Sequence, residues 1–300
     1  MTSSASRPHP SSVSSGSSAS DSSEVRGPVD IGVIGGSGLY EFLDSHETVE
    51  VETPFGPPSD PIVVGDVDGR AVAFVARHGK GHRFAPHRVN YRANLWALRS
   101  VGVRQVLAPC AVGSLRAEYG PGAFVVPDQV IDRTWGRAHT YYDLEGPVVH
   151  VGFADPYCPR GRSTAIESAR RSGHAVGAEG TLVVVNGPRF SSRAESGLNR
   201  QAGGTIVGMT TMPEAALARE LAMCFTSLAM VTDYDSGVDG GAAVTHEEVM
   251  RVFASNVEDL KAVLRHTIAG LPQTEDDEDA TCPCRRSLDG LTLPFPLPGR

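Results

Sequence analysis

Residues 233–247 read Asp-Tyr-Asp-Ser-Gly-Val-Asp-Gly-Gly-Ala-Ala-Val-Thr-His-Glu. Aspartates spaced among glycines invite comparison with a calcium loop, and the spacing can be tested. Counted from Asp233, the position that needs glycine is Val238 and the position that needs a bidentate glutamate is Val244. Counted from Asp235, the glutamate position is His246. Neither frame closes a calcium site. What remains is Asp233 and Asp235, two carboxylates that an extended chain projects to the same side. Such a pair suits proton exchange or hydrogen bonding with an organic ligand.

A second cluster is Arg77-His78-Gly79-Lys80-Gly81-His82-Arg83, followed by His87 and Arg88. In a chain of net charge −8, so local a concentration of cations points to an anion pocket, because the guanidinium fork matches phosphate oxygens. A solvated basic loop is the plainer alternative. Metal binding by His78, His82 and His87 ranks below both, since the arginines repel a cation. Gly35-Gly36-Ser37-Gly38 offers backbone amides and the Ser37 hydroxyl to a phosphate, or else forms a tight turn. It is not a dinucleotide fingerprint, because Glu41 stands where a third small residue is required, and no Walker lysine follows.

Three further stretches carry candidates. Cys110-Ala111-Val112-Gly113-Ser114 places small residues beyond an apolar strand, and Cys110, with no activating base nearby in sequence, reads as a buried thiol beside a ligand. Phe190, in Asn186-Gly187-Pro188-Arg189-Phe190-Ser191-Ser192, is either core or a ring laid on a flat ligand. Met209-Thr210-Thr211-Met212-Pro213-Glu214 puts hydroxyls just before a helix whose first turn accepts Pro213.

The elements that must hold these residues alternate. Apolar runs predict strands at 30–34, 62–67, 72–76, 105–108, 124–126, 181–185, 206–209 and 228–232. Helical periodicity predicts helices at 92–100, 163–171, 194–201, 214–223 and 247–268, clearest in the last, where Val249, Val252, Phe253, Val257, Leu260, Val263, Leu264 and Ile268 trace one apolar face. Strands alternating with helices imply an α/β fold: a single-domain sandwich with a central mixed β-sheet flanked by helices. Ligands of such sheets gather beyond strand ends, at 35–38, 77–88, 109–114 and 233–240.

Composition sets the limits. With 40% apolar residues in 300, the chain can bury a substantial core. Its acidity disfavours nucleic-acid partners. Apolar runs are too short for a membrane span, no secretory pattern opens the sequence, and five scattered cysteines imply no disulfide framework. A cytoplasmic protein is expected. Residues 1–28 are Ser-rich and read as a disordered leader, 29–272 as the folded domain, and 273–300 as an acidic, Pro- and Cys-containing tail, loosely docked. Cys282 and Cys284 within it admit a strained disulfide, a metal held in trans, or plain solvent exposure.

Taken together the motifs resemble the purine nucleoside phosphorylase and 5′-methylthioadenosine phosphorylase family. The matching segments are IGVIGGSGLY (31–40), TPFGPPSD (53–60), ARHG (76–79), VNYRANLWAL (89–98), CAVGSL (110–115), PDQVIDRT (127–134), GPRFSSRAE (187–195), GMTTMPEAALARE (208–220) and TDYD (232–235). The resemblance implies reversible phosphorolysis of a purine nucleoside, with inorganic phosphate as co-substrate, no cofactor and no metal. It implies phosphate contacts from Ser37, Arg77, His78, Ala111 and Thr210, with Cys110 beside them where a threonine is common. Met209 is implied along the ribose, Phe190 beside the base, and a homotrimer in which a neighbouring chain closes part of each pocket.

Within that frame Asp233 is the expected catalytic acid toward the purine, with Asp235 as its companion. The pair favours a 6-aminopurine, and Ser191 agrees, since 6-oxopurine enzymes of the family carry a glutamate there. His246 stands where methylthioadenosine enzymes present an apolar residue, and an imidazole suits a 5′-hydroxyl better than a thioether. A phosphorylase of broader or 6-oxopurine specificity, a nucleosidase and a non-catalytic purine binder remain the alternatives.

Overall fold

The computed structural model describes residues 13–14, 29–36, 39, 42–43, 46–238, 244–273 and 282–299. Most of the expected leader lies outside these residues. Within them the chain forms β1 (Val13–Ser14), β2 (Ile31–Gly35), β3 (His46–Val51), β4 (Ile62–Val67), β5 (Arg70–Ala76), α1 (Tyr91–Ser100), β6 (Gln105–Ser114), β7 (Phe124–Val125), β8 (Gln129–Arg133), α2 (Pro159–Arg171), β9 (Val176–Gly177), β10 (Thr181–Val185), α3 (Arg193–Gln201), β11 (Ile206–Gly208), α4 (Thr211–Glu220), β12 (Cys224–Tyr234) and α5 (His246–Gly270).

All strands join one mixed sheet in the order β1-β3-β4-β5-β2-β6-β11-β10-β8, with β12 also on β6 and leading to β7 and β9. The long strand β6 is the hinge of this arrangement. Its first half pairs parallel with β2, its last residues pair antiparallel with β11, and β12 runs parallel to its whole length. The segment 109–114, expected as a loop, is therefore strand: β6 continues through Cys110 because β12 supplies hydrogen bonds along it.

Central strands are buried on both faces, as parallel strands covered by helices must be. Along β12 the side chains alternate, with Phe225, Ala229 and Val231 in one core and Leu228 and Met230 in the other. The first core is completed by α1 and α4 through Leu95, Leu98, Leu217 and Leu221, the second by α2 and α5 through Ala165, Ala169, Leu264 and Ile268. Helix α2 needs Gly161 to sit on the sheet, because a Cβ there would fall inside the Thr226 hydroxyl. Helix α5 starts where the Thr245 side chain accepts from the Glu248 amide at 3.3 Å, with Glu247 and Glu248 in its first turn complementing the dipole.

The tail is docked more firmly than expected. Arg99 donates to the Gly299 carbonyl at 3.1 Å, Phe295 stacks on Tyr142 at 5.4 Å, and Cys282 and Cys284 are buried. No helix among the described residues is long and apolar enough to cross a membrane.

Candidate active site

The carboxyl ends of β2, β5, β6, β10, β11 and β12 surround a cleft of about 570 Å3, and the first turns of α5 form one wall. Its size is that of a small-molecule site. Arg77, His78, Cys110, Ala111, Phe190, Ser191, Met209, Thr210, Asp233, Asp235 and His246 all line it. Ser37 lies outside the described residues, although its neighbour Gly36 is on the wall.

On the basic side, Arg77 Nε donates to Glu214 Oε1 at 2.6 Å and Nη2 donates to Oε2 at 3.2 Å, while Nη1 donates to the Pro109 carbonyl at 3.1 Å. Burial by itself would lower the guanidinium pKa, but the attached carboxylate outweighs it and holds Arg77 above its ordinary value. The cation is thus fixed in direction, with N–H groups to spare for an anion.

His78 is different. Its Nδ1 lies 2.8 Å from the Phe84 carbonyl, which can only accept, so the proton sits on Nδ1 and Nε2 is left with a lone pair. Burial, and next the charge of Arg77, push its pKa down to about 3. His82 stacks on it, ring centroids 4.1 Å apart, and is likewise held below its ordinary value by burial and by the nearness of His246. The two imidazoles are therefore neutral near pH 7. Full positive charge on this wall comes from two arginines, Arg77 and Arg83.

Cys110 is buried, with Sγ 3.6 Å from the Ser227 hydroxyl, and burial raises its pKa, which suits a packed thiol and not a nucleophile. Thr210 precedes α4 without capping it, so its hydroxyl is uncommitted to the helix end.

On the acidic side, the register between β6 and β12 shifts at Thr232, a bulge of the kind that re-aims side chains beside functional sites. Asp233 follows it. The Thr232 hydroxyl is 2.8 Å from Asp233 Oδ2, yet burial raises the carboxyl pKa to about 6, and the Asp235 charge adds to the rise. Asp235 is itself buried and accepts a short hydrogen bond from the Ser196 hydroxyl in α3. That helix is set by a reciprocal cap between Ser192 and Glu195, and Glu195 also holds Arg189 through two bonds of 2.8 and 2.7 Å. Phe190 and Ser191 lie on the strap so formed. Met209 reaches the cleft over Gly187, whose φ is 63°, and a Cβ at 187 would stand 2.5 Å from the Met209 sulfur.

His246 opens α5 at the exposed mouth of the cleft, with Val249, Met250 and Phe253 following it along the same wall.

Sequence reasoning did not single out Arg137, Ser196 or the structural role of Glu214. Arg137 is buried and donates to the Asn186 and Met209 carbonyls at 2.9 Å each and to the Met212 carbonyl at 2.5 Å, tying together two cleft-forming strand ends.

Comparison with known proteins agrees with this geometry. A model of the phosphorylase superfamily matches residues 30–269. The chain is 56% identical over 276 residues to a purine nucleoside phosphorylase of Streptomyces coelicolor, covering 90% of this chain and 98% of that protein. It is 51% identical over 264 residues to an S-methyl-5′-thioadenosine phosphorylase of Thermofilum pendens, covering 87% and 97%. Among solved structures, a methylthioadenosine phosphorylase from an antarctic soil metagenomic library superposes with a TM-score of 0.81 at 38% identity, covering 89% of this chain and 93% of that one. The Schistosoma mansoni methylthioadenosine phosphorylase in complex with tubercidin gives 0.79 at 38% identity, covering 86% and 98%. The chain belongs to the phosphorylase superfamily and is closely related to its purine nucleoside and methylthioadenosine phosphorylases.

Proposed function

We propose that the enzyme cleaves the N-glycosidic bond of a 6-aminopurine nucleoside, 5′-methylthioadenosine or adenosine, with inorganic phosphate, releasing adenine and a ribose 1-phosphate derivative. The observation that carries this reading is Asp233, whose carboxyl is raised to about 6 in the cleft and so retains a proton at a useful fraction near neutrality. As C1′–N9 breaks, positive charge grows on the sugar and negative charge on the purine. A phosphate held by Arg77, with Ser37, His78, Cys110, Ala111 and Thr210 around it, supplies the oxygen that bonds to C1′ and stabilises the cationic sugar. Asp233 gives its proton to N7 of the leaving base. Asp235 lies beside it, fixed by Ser196, and an oxygen of its side chain accepts from the 6-amino group. His78 Nε2 accepts a hydrogen bond from the hydroxyl of hydrogen phosphate, the one bond that a neutral imidazole with its Nδ1 occupied can make there.

The exposure of three large apolar side chains, Trp135 and Val148 at 75% and Leu144 at 60%, suits contact between copies. It supports a homotrimer whose neighbouring chain closes part of the cleft. None of the five cysteines is in a disulfide, which suits a cytoplasmic setting.

The name of the Streptomyces relative favours a second reading, a phosphorylase of broader purine specificity. A panel of methylthioadenosine, adenosine, inosine and guanosine, assayed for base release with and without phosphate, decides between them. Adenine release that needs phosphate is expected. Release without phosphate would make the protein a nucleosidase, binding without release would make it a carrier, and equal rates on inosine would favour the broader reading.

A further inference from the structure

Four cysteines from three separate parts of the chain meet far from the cleft. Cys158 precedes α2, Cys224 opens β12, and Cys282 and Cys284 belong to the tail. Their sulfurs all lie within 4.8 Å of one another, and none of the four residues is more than 4% exposed. They form a buried cluster of their own, separate from the two large apolar cores. We propose that this cluster is a structural zinc site of four thiolates that fastens the tail to the junction of α2 and β12.

The distances carry the assignment. A zinc ion about 2.3 Å from four sulfurs at tetrahedral corners sets them about 3.8 Å apart. Cys158 Sγ is 3.7 Å from Cys282 Sγ, and Cys224 Sγ is 3.5 Å from it. A disulfide brings two sulfurs to about 2.05 Å and leaves the other pair to fend for itself, whereas here a single sulfur, that of Cys282, is equally close to two others. Four soft donors in a closed shell are the ligand set of structural zinc, and among the described residues no carboxylate or imidazole joins the clustered donors. The Cys-Pro-Cys spacing is tighter than in common zinc ribbons, so both tail ligands come from one bend, while the domain contributes the other two from fixed elements.

Charge is also provided for. Zinc with four thiolates carries a net charge of −2, and Arg219 Nη2 lies 4.0 Å from Cys284 Sγ. The same guanidinium is held in place by the Gly152 and Asp155 carbonyls at 3.0 and 2.6 Å. Deprotonating buried thiols is costly without a cation; the metal removes that cost and turns it into stability. Cys224 and Asp233 stand nine residues apart on β12, about 30 Å at the usual rise of a strand. Loss of the metal should loosen the tail and leave the chemistry in place.

The test uses the full chain purified without chelator. Mass spectrometry of the metal content should find about one zinc per chain, released by a mercurial reagent as the thiols titrate. Cobalt substituted for zinc should show the intense visible bands of a tetrahedral thiolate site. Cys282→Ser and Cys284→Ser should each lose the metal and lower Tm, with KM for nucleoside unchanged, while Cys110→Ser should keep it. Wild-type protein free of metal with all thiols titrating, protein with these cysteines paired as disulfides under non-reducing mass spectrometry, or an equimolar iron content would each overturn the assignment, and none of these depends on a variant that folds.

Discussion

Gly113 and Asp233 are register partners on β6 and β12, and a methyl group at 113 would stand 2.9 Å from Asp233 Oδ1. The glycine is the space into which the bulge at Thr232 turns the Asp233 carboxyl. Gly113→Ala should therefore displace Asp233, by less than the chain needs to unfold. A misplacement of about 1 Å costs on the order of 100-fold in rate, and overpacking costs about 1–3 kcal/mol of stability. Steady-state kinetics with a melting curve would show kcat falling far more than Tm; a variant with normal kcat would sever the link.

Arg77 and Glu214 form a buried pair at 2.6 Å, so removing the carboxylate leaves an unpaired cation at the floor of the cleft. Breaking such a pair typically costs about 3–5 kcal/mol. Phosphate can replace the missing anion. Glu214→Gln should melt well below wild type in buffer without phosphate, and saturating phosphate should raise its Tm by more than it raises that of wild type. Equal shifts in the two proteins would mean that phosphate does not sit on Arg77.

Asp233 and His78 bend stability in opposite directions with pH. The Asp233 carboxyl is raised from 3.8 to about 6, so between these values the native state holds the extra proton and stability falls as pH rises. His78 is lowered from 6.5 to about 3, so over that span the unfolded state holds the extra proton and stability is lost as pH falls. Denaturant melts between pH 4 and 6 should thus show a steeper rise of stability with pH in Asp233→Asn and a shallower one in His78→Asn. Matching slopes in both variants and wild type would refute the two assignments. Asp233→Asn should also lose about 100-fold or more in kcat with adenine nucleosides.

Much of this was legible beforehand, and the exceptions share a cause. Strands buried on both faces, such as Ile62–Val67 and Thr181–Val185, announce themselves as apolar runs, and α5 by its periodicity. Strand β3 is mostly exposed and polar, so His46–Val51 carried no such signal. Asp233, Asp235 and the Arg77–His78 loop could be found because chemistry clusters locally there. Arg137 could not, because its partners at Asn186 and Met212 are 49 and 75 residues away and a lone arginine has no pattern. The tail cysteines were seen only as a pair, since Cys158 lies 124 residues from Cys282 and only folding brings them together.

At the mouth of the cleft residue type and geometry pull apart. His246 sits at the exposed mouth, and its proximity lowers His82, so two imidazoles approach that end of the cleft. Val249, Met250 and Phe253 on the same helix offer the carbon surface that a methylthio group prefers. When a thioether replaces a hydroxyl bonded to His246, water can take the hydroxyl's place on the exposed imidazole, so the loss is the net worth of one hydrogen bond, about 0.5–1.5 kcal/mol. His246→Val should then raise kcat/KM for methylthioadenosine relative to adenosine by about 10-fold, mainly by weakening adenosine. Competition between the two nucleosides in one assay measures the ratio directly, free of errors in enzyme concentration. An unchanged ratio would place His246 outside the sugar's reach and assign the 5′ preference to Val249, Met250 and Phe253 alone.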